Sequence, residues 1–129
     1  MPGNSGDPLQ VELVAADRVV WSGEATMVIA RTAEGDLGAL PGHAPVLSIL
    51  LPSVVEITTT DGEQVRAAVE DGFLSIADDR VSILSEDAFL ADEIDADAAR
   101  AEVEKLQGED EPLALQRAEA KVRAAEKMS

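Results

Sequence analysis

The most informative segment of the chain is residues 34–45, with the sequence Glu34-Gly35-Asp36-Leu37-Gly38-Ala39-Leu40-Pro41-Gly42-His43-Ala44-Pro45. Three glycines and two prolines among twelve residues exclude a helix and disfavour a regular strand. Glycine permits positive φ, while proline fixes its own φ and pushes the preceding residue toward extended geometry. We therefore expect a shaped loop that presents Asp36 and the only histidine, His43, from a β scaffold. A turn-rich crossover between two strands explains the same composition equally well.

Short segments rich in apolar and β-branched residues lie on both sides of this loop and predict strands. They occupy residues 9–13, 19–21 and 26–31 before the loop, and 46–51, 54–60, 64–69, 74–76 and 81–83 after it. Turn residues occur at Ser22-Gly23, at Asp78-Asp79 and at Asp61-Gly62, and for the last pair we expect a two-residue type I′ turn. Short strands with regularly spaced turns predict an all-β sandwich or barrel.

The chain changes character near Ser85, after which alanine becomes frequent and β-branched residues become rare. Apolar residues then recur with the spacing of a narrow helical seam, first at Ala96, Ala99, Val103 and Leu106 and then at Leu115, Ala118, Val122 and Ala125. Gly108 and Pro112 mark the break between the two runs. The predicted organisation is a flexible leader at 1–8, an antiparallel β-sandwich at 9–88 and an antiparallel two-helix hairpin at 91–129.

The predicted hairpin is too thinly packed to be stable alone. Its seam contains four side chains larger than alanine, Val103, Leu106, Leu115 and Val122. Each contributes ~1.5–3 kcal/mol if fully buried, whereas ordering about thirty residues costs ~1–2 kcal/mol apiece in backbone entropy. The hairpin must therefore lean on the sandwich or on another protein, either as a switch between two resting places or as a permanently docked element.

Composition excludes several classes of function. The chain has 129 residues, 46% of them hydrophobic, and a formal net charge of −16, which disfavours binding to nucleic acid or to anionic lipid. It favours solubility and a cationic partner. The absence of cysteine fits a reducing compartment. The first residues do not resemble a signal peptide, and no apolar run is long enough to span a membrane.

The sequence predicts no catalytic residues and no metal site. A single histidine without cysteine supports neither a nucleophilic triad nor a zinc site, and no phosphate-binding Gly-Lys-Ser/Thr follows the glycines of the loop. One cluster could gather around a polyphosphate, and it consists of Asp97 and Arg100 on the first helix and Arg117, Lys121 and Arg123 on the second. Intrahelical ion pairs on solvated faces, such as Asp97–Arg100, explain the same residues.

The segment Arg31 to Pro45 resembles the signature of the epsilon subunit of F-type ATP synthases, a small rotor subunit of the central stalk. The resemblance extends over residues 9–128, with Asp71-Gly72-Phe73-Leu74 similar to the late strands of that family and Ile94-Asp95 to the start of its helices. It implies a sandwich that binds the gamma subunit and the c-ring and couples proton flow to rotation. It also implies helices that extend toward the alpha and beta subunits and inhibit ATP hydrolysis.

The resemblance also implies partner-binding residues, namely Glu34, Asp36, Leu40, His43 and Pro45. Asp36 would meet the polar loops of the c-ring, and His43 would face gamma. The chain would then be a peripheral protein on the cytoplasmic face of the membrane, which it touches only through the c-ring. An ATP-binding motif of the family is matched by Asp97, Arg100 and Ala101, although Ala96 replaces its leading aliphatic residue.

Two other readings use the same residues. The chain could be a small-ligand enzyme or sensor on a jelly-roll-like sandwich with His43 as its active group. It could also be a free-standing adaptor whose hairpin grips a helix of another protein. The lack of a second histidine or a cysteine argues against the enzyme.

Overall fold

The computed structural model describes residues 7–126. Nine strands come first: β1 Leu9–Ala15, β2 Arg18–Thr32, β3 Gly35–Ala39, β4 Val46–Leu50, β5 Ser53–Thr59, β6 Gln64–Val69, β7 Gly72–Ala77, β8 Arg80–Ser85 and β9 Ala88–Leu90. A short 3-10 helix at Ala91–Glu93 leads into α1 Ala96–Gln107 and α2 Pro112–Glu126. Most of the predicted leader, and the end of the predicted hairpin at 127–129, lie outside the described residues.

The fifteen residues of β2 join the two layers of the sandwich. Its first part pairs with β1, its last part pairs with β5 and β3, and Thr32 lies opposite Leu50 of β4. One layer is therefore β1–β8–β7–β4 and the other is β2–β5–β6–β9. The strand pairs are antiparallel except for β1 with β8, which are parallel. The predicted sandwich followed by a helical hairpin is confirmed.

The core between the layers is aliphatic, as the scarcity of aromatic residues requires. Its largest fully buried side chains are Leu9, Leu13, Leu50, Ile57, Leu74, Ile76 and Ile83. They come from inward-facing positions that alternate along the strands with exposed or half-buried ones, the period expected of a pleated strand.

The predicted turn at Ser22-Gly23 is wrong, because β2 runs through it without a break. Residues 16–17 form the turn between β1 and β2 instead. Gly23 has a packing role: a Cβ at this position would lie 2.9 Å from Cη2 of the Trp21 ring. The glycine therefore makes room for the indole and does not reverse the chain.

The predicted type I′ turn lies at a different hairpin. At Asp61-Gly62 only Gly62 has positive φ, 87°, and its amide donates to Thr59 O over 3.0 Å, which is a type I turn followed by a left-handed glycine. At Asp78 and Asp79 both φ angles are positive, 53° and 61°, as a type I′ turn requires. Aspartate tolerates this left-handed conformation better than most residues.

The two helices pack as an antiparallel hairpin, and α2 also packs on the outer face of β5 and β6. Ala99, Leu106 and Ala118 of the predicted seam are buried. A second face of α2, which the seam pattern did not reveal, buries Ala120 and Ala124 against Ala68, with Val54 and Ile94 at the edge of the contact. Asp95 caps α1 by accepting a hydrogen bond from the amide of Ala98 over 3.1 Å.

Charged contacts complete this docking. The Arg117 guanidinium donates from Nη2 to Asp71 Oδ1 over 2.6 Å, and its Nε lies 3.4 Å from Glu70 Oε1. The Lys121 ammonium lies 4.6 Å from the centroid of the Phe89 ring, a cation–π contact. The hydrogen bond from Arg117 lowers the pKa of Asp71, whereas burial raises the pKa of Glu70 against the opposing charge of Arg117.

We predict that acid weakens the docking of α2 through Asp71. A carboxylate with a lowered pKa stabilises the docked state fully above its ordinary pKa, and this stabilisation is lost as the pH falls through the lowered value. Glu70, whose pKa is raised, works in the opposite direction because its protonation relieves a buried charge. The methyl NMR shifts of Ala120 and Ala124, followed from about pH 6 to about pH 3, should report release, and less of it in Asp71→Asn.

The matched control is Asp61→Asn, which removes an acid from a turn that α2 does not contact. It should titrate like the unmodified chain. A double-mutant cycle with Arg117→Gln and Asp71→Asn should give a coupling of about 0.5–1 kcal/mol, since Asp71 is half exposed and solvent screens the pair. Identical methyl titrations in Asp71→Asn and the unmodified chain would contradict this role.

Candidate functional site: a protein-binding surface

The segment 34–45 consists of a strand and a turn. The expectation that glycines would prevent a strand is wrong for Gly35–Ala39, which form β3. Among the strands of residues 7–126, β3 pairs only with β2, so that Asp36 lies opposite Arg31 and Gly38 opposite Ile29. An edge strand tolerates glycine because only one side must match a neighbour.

Residues 40–45 form the turn, and Asp79 holds it in place. The His43 amide donates to Leu40 O over 3.0 Å, and Gly42 has φ of 88°, the value that the third position of a type II turn requires. The amide of Gly42 donates to Asp79 Oδ1 over 2.7 Å, and the amide of Gln10 donates to Asp79 O over 2.7 Å. The buried Asp79 thus ties the turn to β1 and to the β7–β8 hairpin.

The predicted partner-binding residues lie at the two ends of β3. Leu40, His43 and Pro45 are at the turn, where Leu40 and Pro45 are exposed and His43 is half-buried. Glu34 and Asp36 are at the other end, roughly 13 Å along the strand from Leu40. Asp36 is exposed and accepts a hydrogen bond from Arg31 Nε over 3.0 Å, and Glu34 accepts one from the Ser48 hydroxyl.

The imidazole of His43 has no catalytic setting. Its Nδ1 lies 2.7 Å from the backbone oxygen of Ala44. Within residues 7–126 no three His, Asp or Glu side chains converge as a metal site would require. None of the helices in this part of the chain is long and apolar enough to cross a membrane.

The most prominent surface is an apolar row across five strands, which we call the open apolar face. Its members lie opposite one another in register: Val19 of β2, Val14 of β1, Leu84 of β8, Phe73 of β7 and Ile49 of β4. Phe73, Ile49 and Leu84 are each more than half exposed, at 53%, 54% and 51%. Contiguous exposed apolar side chains of this size mark protein interaction sites.

Sequence reasoning missed this face, although β4 carried a signal. Residues 46–51 are almost wholly apolar, and this pattern predicts a strand without indicating which of its sides faces inward. In the structure Ser48 faces inward and Leu47 and Ile49 face outward, so the usual alternation is reversed. A strand that is apolar on both sides, at a layer that no helix covers, has to expose one of them.

The polyphosphate cluster is brought together only in part. Arg100 and Arg123 line a cavity of about 280 Å³ between α1 and α2, together with Val103, Glu119 and Val122. Arg100 also pairs with Asp97 over 3.2 Å and with Glu126 over 3.4 Å. Arg117 instead binds the sandwich through Asp71. Binding of regulatory ATP-Mg to Asp97, Arg100 and Arg123 stays a prediction.

We predict that the Asp79 carboxylate, more than its backbone, fixes the 40–45 turn. Asp79→Gly keeps the left-handed φ but removes the acceptor for the Gly42 amide. Loss of a hydrogen bond to a charged group should speed exchange of the Gly42 amide hydrogen by roughly tenfold to a hundredfold. Asp79→Asn keeps an acceptor and should retain most of the protection.

Asp78→Gly is the matched control, since it changes the neighbouring left-handed residue of the same turn. It should leave exchange at Gly42 unchanged. If Asp79→Gly and the unmodified chain exchange the Gly42 amide at the same rate, the carboxylate does not anchor the turn.

Comparison with known proteins agrees with this architecture. The family model described as "ATP synthase, Delta/Epsilon chain, beta-sandwich domain" matches residues 8–91. Among solved structures, a chain of the Euglena gracilis mitochondrial ATP synthase has a TM-score of 0.74 at 23% identity, covering 98% of this chain and 82% of that one. A chain of the Tetrahymena thermophila mitochondrial ATP synthase central stalk and c-ring has a TM-score of 0.60 at 19% identity, covering 93% and 95%.

Other ATP synthase epsilon chains are much more similar in sequence to this chain than these two solved structures are. The ATP synthase epsilon chain of Streptomyces avermitilis is 55% identical over 116 residues, which are 90% of this chain and 94% of that protein. The epsilon chain of Rhodococcus opacus is 48% identical over 120 residues, 92% and 97% of the two chains. The resemblance seen in residues 31–45 is thereby confirmed over most of the chain, and the chain belongs to the ATP synthase epsilon chain family.

Proposed function

We propose that this chain, an epsilon-type subunit of ATP synthase, is a non-catalytic coupling subunit of the central stalk that binds gamma through its open apolar face. The observation that carries the proposal is the exposed row through Leu84, Phe73 and Ile49. α2 partly covers the outer face of the other layer, whereas the row is a contiguous apolar area that stays exposed among residues 7–126.

The surroundings of the row support a protein partner. The next row outward, Glu12, Ser82, Ser75 and Leu47, is mostly polar. An apolar centre with a polar margin is typical of protein–protein interfaces. The layer beneath is fixed by fully buried residues such as Leu74 and Ile83, so the face is preformed and loses little entropy on binding.

We assign the exposed end of β3, with Glu34 and Asp36, to the c-ring. Acidic side chains on an edge strand suit a partner loop with basic residues. The two solved assemblies with the same fold include a c-ring, which supports this assignment. The chain would then lie on the cytoplasmic face of the membrane and contact it through the c-ring, with alpha and beta within reach of the hairpin.

The reading as a small-ligand enzyme gains nothing from the geometry. His43 contacts a backbone carbonyl, and it lines none of the four cavities lined by Arg31, Trp21, Phe89 and Arg100 among the described residues. The reading as a free-standing adaptor, whose hairpin grips a helix of another protein, stays an alternative, and binding of a partner by residues 91–129 in the absence of gamma would favour it.

We predict that Phe73→Glu abolishes binding to purified gamma without unfolding the chain. The substitution removes a large apolar contact and places a charge at the centre of the row, which should weaken binding by at least roughly a hundredfold. Calorimetry with gamma measures the loss, and circular dichroism checks the fold. Ile49→Glu should weaken binding to gamma to a similar extent and also leave the fold intact.

Leu113→Glu is the matched control, because Leu113 is 45% exposed but lies on α2, away from the row. It should bind gamma like the unmodified chain. Unchanged affinity of Phe73→Glu and Ile49→Glu, with the fold intact, would disprove the proposed interface.

We also predict that freeing the hairpin lowers ATP hydrolysis by the assembled enzyme. Arg117→Glu places a like charge beside Glu70 and Asp71, which should shift the hairpin away from the sandwich. The steady-state hydrolysis rate should fall, and Arg117→Glu with Asp71→Arg should restore it by rebuilding the pair in reverse. A rate that stays at the level of the unmodified assembly in Arg117→Glu would show that release of α2 does not inhibit hydrolysis.

A further inference from the structure

A second cavity, of about 230 Å³, lies where the C-terminal part of α2 approaches the outer face of β2, β3, β5 and β6. Three arginines line it, Arg31 of β2, Arg66 of β6 and Arg123 of α2. The acids that line it are Asp36 and Glu56. We call it the arginine pocket. Asp36 also belongs to the proposed c-ring contact and Arg123 to the predicted ATP-Mg cluster, whereas the buried Arg66 has a role in neither.

The residues of this pocket share one face of the sheet. Ile29 lies opposite Glu56, and Glu56 lies opposite Arg66, so a row crosses from β2 to β6. Arg31 and Asp36 form the neighbouring pair at the junction of β2 and β3. The inward neighbours on β2, Val28 and Ala30, are buried in the core, which places these charged side chains on the outer face that α2 partly covers.

Arg66 is the buried member and keeps an unused donor. It is 9% exposed, and its Nη1 lies 2.9 Å from Glu56 Oε2. Its Nε is buried and has no hydrogen-bond acceptor among the described residues. A buried guanidinium N–H without an acceptor is costly, and such groups normally find an acceptor in the protein, in water or in a ligand.

The positive charge of the pocket is unusual for this chain. The sequence holds 10 basic residues against 26 acidic ones, yet three arginines meet here with two acids. Arg31 and Arg66 are already paired with the two acids of the pocket, over 3.0 Å to Asp36 and 2.9 Å to Glu56, so Arg123 supplies the excess positive charge. Guanidinium groups arriving from several directions match the oxygens of a tetrahedral oxyanion, which accepts hydrogen bonds on every side.

We propose that the arginine pocket binds a phosphate group, either as inorganic phosphate or as the terminal group of a larger ligand, through Arg31, Arg66 and Arg123. Arg31 and Arg66 belong to the sandwich and Arg123 to α2, so the bound oxyanion bridges the two parts. It binds the docked hairpin and not the released one, and therefore stabilises docking by mass action. The inference concerns the isolated chain and does not depend on the proposed binding of gamma.

The experiment titrates the full chain with sodium phosphate and, in parallel, with sodium chloride at equal ionic strength. NMR of the arginine Nε–H groups follows the binding. We expect saturable shifts at Arg66 and Arg123 with phosphate and not with chloride. Arg123→Gln and Arg31→Gln, both at exposed positions, should weaken the affinity about tenfold or more each, and phosphate should protect the amides of α2 from hydrogen exchange less in Arg123→Gln.

Arg80→Gln is the matched control, since Arg80 is exposed on β8 and does not line this pocket. It should leave phosphate binding unchanged. A parallel titration with ATP tells the sources apart: a nucleotide bound through its terminal phosphate in this pocket shows the same loss in Arg31→Gln. The proposal is overturned if the shifts do not saturate, if chloride reproduces them, or if Arg31→Gln and Arg123→Gln bind phosphate as well as the unmodified chain.

Discussion

The continuity of β2 is the constraint on which the structure depends. A single strand of fifteen residues belongs to both layers, so its two parts lie over one core. Because side chains alternate along a strand, the outward positions of β2 fall on two different outer faces. Val19, near its start, extends the open apolar face, whereas Arg31, near its end, lines the arginine pocket under α2. One element thus separates a surface for a partner from a surface for the chain's own hairpin.

The two outer faces differ in how firmly they are held. Beneath the open apolar face lie large side chains that are fully buried, each contributing ~1.5–3 kcal/mol to the core. Beneath α2 the contact is made by Ala120, Ala124 and Ala68, and a buried methyl group contributes only about 0.8 kcal/mol. A rigid face suits permanent assembly, and a thin contact with a few ion pairs suits an element that is released and returned.

The sequence supported the class of fold, the hairpin and the family, because alternation, helical seams and a long motif are local patterns. It failed where the deciding contact exists only in the folded chain. Gly23 looks like a turn residue until the Trp21 ring is seen against it. The sequence around Ser48 does not indicate which side of β4 faces inward, because the opposite layer of the sandwich decides this. The second face of α2, at Ala120 and Ala124, packs against β6, which no helical period can reveal.

Charge helps to hold α2 on the sandwich despite its small apolar contact. α2 carries Arg117, Lys121 and Arg123 against Glu119 and Glu126, in a chain with a net charge of −16. It is therefore a cationic element beside an acidic body, and attraction acts on it even before the specific contacts with Asp71 and Phe89 form. Salt screens this attraction, and a partner with a denser acidic surface competes for the same helix. Docking of α2 should therefore weaken with salt, whereas any contact made by the apolar face, which has no charge at its centre, should depend little on salt.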